Sequence, residues 1–168
     1  LALVVIGIGF RVLRYAQGRD LWLDEVFLAN NLLHKSAWGL LGPLDFRQGA
    51  PPVFLLLCKL SVTVFGTSEY ALRLVPLVFG VASVPLFYLL ARRVLGGWGA
   101  VAAVGLFAVL EPLVYYASEI KQYSADVAVA IAVMLAFARF EERPGDRRRL
   151  AALGVVGGLA LFTSHPSV

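Results

Sequence analysis

Two adjacent acids, Asp24 and Glu25 in LWLDEVFLANNLL (residues 21–33), form a pair of side chains equipped for acid–base chemistry. A carboxylate at a membrane surface can take a proton from an acceptor hydroxyl or amine, the general-base role. The pair also suits a structural task, because Asp is a favoured helix N-cap and first-turn acids complement the helix dipole. One residue can do both. A second polar cluster, SEIKQYSAD (118–126), brings Glu119, Lys121, Tyr123 and Asp126. If helix geometry holds from Glu119 onward, Glu119, Tyr123 and Asp126 fall at i, i+4 and i+7 on one face, two acids and a phenol at the mouth of a bundle. The competing reading is a polar turn with Tyr115, Tyr116 and Tyr123 in an interfacial aromatic belt. RQGAPP (47–52) taken alone is a turn before a Pro-started helix. Arg47, Lys59, Arg73 and Lys121 could hold an anionic lipid phosphate, or simply snorkel. Glu111, beside Pro112, reads as a polar contact inside the bundle, and His165, in SHP, as a substrate contact.

The elements that must position these residues are membrane helices. The chain has 168 residues, 60% hydrophobic and 15% charged, with a mean hydropathy of +0.79; soluble domains run at about 45–50% apolar and about 25% charged. This composition describes a polytopic membrane protein. The net charge of +4 lies in Arg clusters between apolar stretches, where it orients a membrane protein rather than binding nucleic acid. Cys58 is the single cysteine, so an internal disulfide or cysteine cluster is excluded within the segment. No HExxH, Walker or GxGxxG pattern is present, which leaves metalloprotease, NTPase and dinucleotide readings unsupported. A divalent ion between Asp24 and the acids of the second cluster is conceivable, but no ligand spacing demands it. The sequence opens inside one apolar run and stops just after another, and reads as an excerpt of a longer protein.

A helix needs about 20 apolar residues to cross a hydrocarbon core of roughly 30 Å. Residues 71–91, 98–117, 122–140 and 149–164 approach or meet this, and 1–16 resembles the end of a further span. Residues 25–41 show paired apolar positions about every four residues, the pattern of a helix lying in the membrane plane. The stretch 51–66 is short and carries Lys59 at its middle, and a Lys at the bilayer centre costs about 2.5–3.5 kcal/mol on insertion scales. It is therefore read as interfacial. With 51–66 out of the count, Arg92–Arg93 and RPGDRRR (143–149) share one side, which the positive-inside rule makes cytoplasmic. Asp24, Glu25, the 115–123 loop and His165 then share the extracytoplasmic side.

The order of these features resembles the N-terminal half of polyprenyl-phosphate-dependent glycosyltransferases of the GT-C superfamily: a span, LWLDE, an in-plane helix, QGAPPVFLLLCKL, FGTSEYALRLVPLVFGVASVPLFYLLARRVLG, then YYASEIKQYSADV. Bacterial family 39-like proteins, protein O-mannosyltransferases, aminoarabinose transferases and lipopolysaccharide galacturonosyltransferases are the groups it is similar to. The resemblance implies an all-α, GT-C-like bundle with in-plane juxtamembrane helices in the first extracytoplasmic loop, set in the inner or plasma membrane. It implies inverting transfer of a sugar from a polyprenyl-phosphate-linked donor to a glycan, lipid or protein acceptor, with no nucleic acid involved and no certain cofactor. It makes Asp24 the catalytic base, Glu25 its positioning neighbour, and Glu119 to Tyr123 part of the donor or acceptor site. Where relatives carry an Asp near Tyr123, this chain has Glu119 and Asp126. Lys59, Arg73 and Lys121 would clamp the phosphate. A transporter or flippase of lipid-linked sugars is the rival reading, expected to show charged or discontinuous helices near the midplane; a non-catalytic membrane scaffold is the third.

Overall fold

The computed structural model describes residues 1–164, which are helical with no strand among them. The helices are α1 (Ala2–Ala16), α2 (Leu23–His34), α3 (Pro52–Phe65), α4 (Glu69–Val94), α5 (Gly97–Val109), α6 (Glu111–Tyr115), α7 (Tyr123–Glu141) and α8 (Arg147–Thr163). Short 3₁₀ turns occur at Gly39–Leu41, Asp45–Arg47 and Tyr116–Ser118. This is an all-α membrane helix bundle. By length and hydropathy α4 and α7 can each cross a membrane, and α5 with Glu111–Ser118 passes the same test as a pair bent by 53°. At 15 and 17 residues, α1 and α8 are shorter than the roughly 20 that a perpendicular crossing needs.

α4 is the central post. Its 26 residues span about 39 Å, and it packs against α1, α3, α5 and α7. Pro76 and Pro85 sit inside it without ending it, as membrane helices permit when neighbours satisfy the freed carbonyls. Ion pairs define its two ends. Near the start Arg73 pairs with Glu25 at 2.6 Å, and at the finish Arg93 pairs with Glu142, in the loop between α7 and α8, at 2.7 Å. Arg149 joins Glu142 at 2.8 Å, so the Arg-rich loop and Arg93 occupy one end and Asp24–Glu25 the other. α3 lies against the first turns of α4, where Ser61 Oγ donates to Ala71 O at 2.6 Å. At 14 residues α3 is shorter than the roughly 20 that a perpendicular crossing needs.

Two elements differ from the periodicity. The helix expected over 25–41 stops at His34, because Lys35 turns extended (φ −88°, ψ 147°) and Ser36 Oγ accepts from Gly39 N–H to start a new turn. The stretch 98–117 is broken at Leu110. Pro112 has no N–H to offer the carbonyl of Ala108, four residues back, and the side chain of Arg11 in α1 supplies donors instead. Its Nη1 bonds Ala108 O at 3.3 Å and Gly7 O at 2.8 Å, and its Nη2 bonds Phe107 O at 3.3 Å. The discontinuous helix and the buried cation beside it were not evident from the apolar run. Glu111, expected inside the bundle, opens α6 and is exposed there.

The hydrophobic core nearest the acids is built from Leu28, Ala29 and Leu32 of α2, Phe54, Leu55, Cys58 and Val62 of α3, Ala71 and Leu72 of α4, and Ile120 and Ala125. Burying the Leu, Ile, Val and Phe side chains among them contributes about 1.5–3 kcal/mol each. This cluster seats α2 and α3 as a cap on the bundle.

Candidate functional site

The first loop, the start of α4 and the loop before α7 meet at one place, held by three carboxylates with different surroundings. Asp24 and Glu25 stand in the first turn of α2, whose N-cap is Trp22 rather than Asp24. The capping task falls to Glu25, three residues on, whose Oε2 accepts from Trp22 N–H at 3.4 Å. Asp24 therefore contributes to the dipole but does not cap.

Glu25 is fully buried and its oxygens are fully used. Arg73 Nε and Nη2 bond them at 2.9 and 2.6 Å, and the backbone N–H of Ile120 adds a bond at 2.9 Å. Arg73 spends its remaining donors on the carbonyls of Arg19, at 2.5 Å, and Asp20, at 3.2 Å. Bidentate Arg–carboxylate geometry is among the strongest polar contacts available, and here it ties α2, α4 and the loop before α7 together. The Arg73 guanidinium is buried and directed at protein oxygens throughout, so it is not placed to clamp a phosphate.

Glu119 forms the second tie. Arg19 Nη2 reaches its Oε1 at 2.6 Å and Trp22 Nε1 its Oε2 at 2.8 Å. Burial raises its pKa, the negative charge of Glu25 raises it further, and the bonds from Arg19 and Trp22 pull the other way. The helix does not extend back to it: Glu119 is extended (φ −124°, ψ 143°) and α7 begins at Tyr123. The shared face of Glu119, Tyr123 and Asp126 is thus not formed. Tyr123 is exposed and packs edge-on to Tyr116, which in turn meets Tyr115, giving the aromatic cluster of the alternative reading. Asp126 is half-buried in the first turn of α7.

Asp24 is the third carboxylate and the accessible one. Lys121 Nζ donates to its Oδ2 at 2.7 Å, and Gln48 Nε2 to its Oδ1 at 3.2 Å. Its side chain keeps 41% of its surface, against 0% for Glu25 and 2% for Glu119. The bond from Lys121, with help from Gln48, holds its pKa below the ordinary carboxylate range. Gln48 also accepts from Lys121 Nζ at 3.0 Å, closing a triangle of acid, amide and ammonium. The Lys121 ammonium stands between Asp24 and the second loop, where a divalent ion was conceivable. Among the described residues no three His, Cys, Asp or Glu side chains gather as a metal site.

Lys59 is drawn elsewhere. Its ammonium bonds Leu32 O at 2.8 Å and so caps the last turn of α2. His165 lies outside the described residues. Sequence reasoning brought Asp24, Glu25, Glu119, Lys121 and Arg73 into view, and these the structure assembles. It passed over Arg19, Trp22, Asn31 and Gln48. Gln48 stood in RQGAPP, where composition signals only a turn, and the hydrogen bonds of the Arg19 and Trp22 side chains go to residues about a hundred positions away.

A family model described as dolichyl-phosphate-mannose-protein mannosyltransferase matches residues 49–168, more than half of the chain. The matched span contains Arg73, Glu119 and Lys121, while Asp24, Glu25 and Gln48 precede it. Neither the curated proteins nor the solved structures contain a match.

Proposed function

The chain belongs to the dolichyl-phosphate-mannose-protein mannosyltransferase family, membrane glycosyltransferases of the GT-C type, and from that premise we propose that it moves a sugar from a polyprenyl-phosphate donor to an acceptor at the extracytoplasmic membrane face, with Asp24 as general base. The observation that carries the assignment is the division of labour among the three acids. All three are bonded on both oxygens, but Glu25 and Glu119 are sunk, whereas Asp24 alone of the three presents its carboxylate to solvent beside a cation.

The chemistry then runs in one displacement. The acceptor oxygen or nitrogen attacks the anomeric carbon as its proton passes to Asp24, and the bond from that carbon to the phosphate oxygen breaks with its electron pair leaving on the polyprenyl phosphate. Single displacement inverts the anomeric centre. The leaving phosphate gains negative charge, which a nearby cation stabilises. The exposed Arg47 suits that role, and so does Lys121, whose bonded partners are the base Asp24 and Gln48 themselves, whereas Arg73 and Lys59 are held by Glu25, the Arg19 carbonyl and the Leu32 carbonyl. A carboxylate held below its ordinary pKa stays ionised through neutral pH but is a weak base, so proton transfer comes late, once the nucleophile has begun to acidify. Donor phosphate competing for the Lys121 ammonium would make Asp24 more basic as the complex forms.

The face is supported by charge. The opposite end carries Arg92, Arg93 and the Arg143–Arg149 stretch, as a cytoplasmic end does. Family membership speaks for transfer over transport or scaffolding, and the broken α5–α6 helix adds no support for transport, because Arg11 beside it is engaged by backbone carbonyls. The test is transfer from radiolabelled polyprenyl-phosphate sugars in membranes holding the full-length protein, wild type against Asp24→Asn at matched amounts. Loss of transfer with the fold intact is expected. Undiminished transfer would return Asp24 to a purely structural role.

A further inference from the structure

The turn that delivers Gln48 to Asp24 is strained and tightly held. Phe46 (φ 59°) and Arg47 (φ 54°) are consecutive non-glycine residues in the left-handed region, which is disfavoured for any residue with a Cβ. Strain of this kind persists only where the surroundings over-determine it. Here the buried Asn31 of α2 grips the turn from both sides, its Oδ1 accepting from Asp45 N–H at 2.8 Å and its Nδ2 donating to Asp45 O at 3.3 Å and Phe27 O at 2.9 Å. Lys35 pairs with the Asp45 carboxylate at 3.2 Å, and Phe46 stacks on Phe27 at 4.9 Å. Beyond the turn the chain becomes extended at Gln48 (φ −78°, ψ 152°) before α3.

What the turn presents is a group that must both give and accept. Gln48 Nε2 donates to Asp24 Oδ1 and its Oε1 accepts from Lys121 Nζ. Only one orientation of the amide fits, since a carboxylate accepts and an ammonium donates. A carboxylate at position 48 could not serve Asp24, and an aliphatic side chain could serve neither. We infer that Gln48 is a positioning residue of the transfer reaction, bridging Asp24 to Lys121 so that the base and the neighbouring cation hold a fixed spacing before substrate arrives. This rests on the reading of Asp24 as base. The charged groups facing Asp24 are Lys121 from the loop before α7 and, beside it on α2, Glu25, which is turned to Arg73; the Arg19–Glu119 pair closes on itself.

The experiment measures transfer by the full-length protein in detergent or membranes across pH, at saturating and limiting acceptor, for wild type, Gln48→Leu, Gln48→Glu and Asp24→Asn. Gln48→Leu is expected to lower kcat by about ten- to a hundredfold, the scale of a small misplacement of a reacting group, with acceptor KM nearly unchanged. Asp24 loses a donor to its charged form, so the acid limb of the pH profile moves to higher pH. Gln48→Glu moves that limb further, because a second carboxylate opposes Asp24 and competes for Lys121, and as an isosteric change it carries the test if Gln48→Leu fails to fold. Asn31→Ala, which releases the turn, lowers kcat in the same way, and adding Gln48→Leu to it brings little further loss. If Asp24→Asn abolishes transfer while both Gln48 variants keep the wild-type kcat and acid limb, the bridge is refuted and the base stands. If Asp24→Asn transfers normally, the base assignment falls and the bridge with it.

Discussion

Glu25→Gln takes one charge from the junction of the two loops and α4 while changing almost no volume. In the native fold Arg73 holds both carboxylate oxygens, at 2.9 and 2.6 Å, and Ile120 N–H holds one of them at 2.9 Å. A Gln amide could still accept from Ile120, but it would face the guanidinium with only one acceptor oxygen and would leave a buried cation without its bonded counter-charge. Removing one partner of a buried ion pair costs about 3–5 kcal/mol. With a shift of about 2–4 °C per kcal/mol for a domain of this size, the midpoint should fall by about 6–20 °C. Thermal unfolding in detergent, followed by tryptophan fluorescence, measures it. Asp24→Asn is the internal comparison: its pair with Lys121 is partly exposed, and such pairs are worth about 0–1 kcal/mol. The double variant Glu25→Gln/Arg73→Met should recover part of the loss, since no charge is then stranded, although the carbonyls of Arg19 and Asp20 lose their donor. A drop for Glu25→Gln no larger than that for Asp24→Asn would refute the view that Glu25 is a structural tie and Asp24 is free for chemistry.

Other perturbations probe separate links. Lys121→Met removes the bond that most lowers the Asp24 pKa, so the acid limb of transfer should move up in pH; in wild type the stabilising contribution of that pair is present above the unfolded carboxylate value of about 3.9 and fades as pH falls through the depressed native one. An unmoved limb would assign it to another group. Gly80→Ala places a Cβ 2.5 Å from the Ala117 Cβ and 3.2 Å from its backbone, where the turn before Glu119 rests on α4; overpacking of this kind costs about 1–3 kcal/mol, read as a lower unfolding midpoint. Arg11→Met leaves the carbonyls of Phe107 and Ala108 without their side-chain donor, at about 1–3 kcal/mol for a buried unsatisfied group. Pairing it with Pro112→Ala, which restores an N–H four residues after Ala108, should return part of that stability.

How the site arises separates into what is local and what is not. Composition and apolar run lengths determined an all-α membrane protein, because a backbone in lipid must satisfy its own hydrogen bonds and a crossing takes a minimum number of apolar residues. The adjacent acids, the polar cluster at 118–126 and the Arg-rich stretch were legible as single segments for the same reason: charge is costly in an apolar chain and stands out. Counting crossings even brought Asp24 and the second loop to one end, where Lys121 now reaches Asp24 at 2.7 Å. Tertiary structure alone decided which acid does what. Asp24 and Glu25 are neighbours in sequence, yet the first turn of α2 points one to solvent and Lys121 and the other into Arg73 and Ile120. Arg73 and Lys59 looked as eligible for a phosphate as Lys121 until their partners appeared, Glu25 for one and the Leu32 carbonyl for the other, while Lys121 is drawn to the exposed Asp24 itself. The break at Leu110 was masked because Pro112 is tolerated or disruptive in a membrane helix according to who supplies the missing donor, and that donor, Arg11, lies about a hundred residues away. A side chain's charge is written in the sequence, but its availability depends on partners that only the packed chain brings within hydrogen-bonding distance.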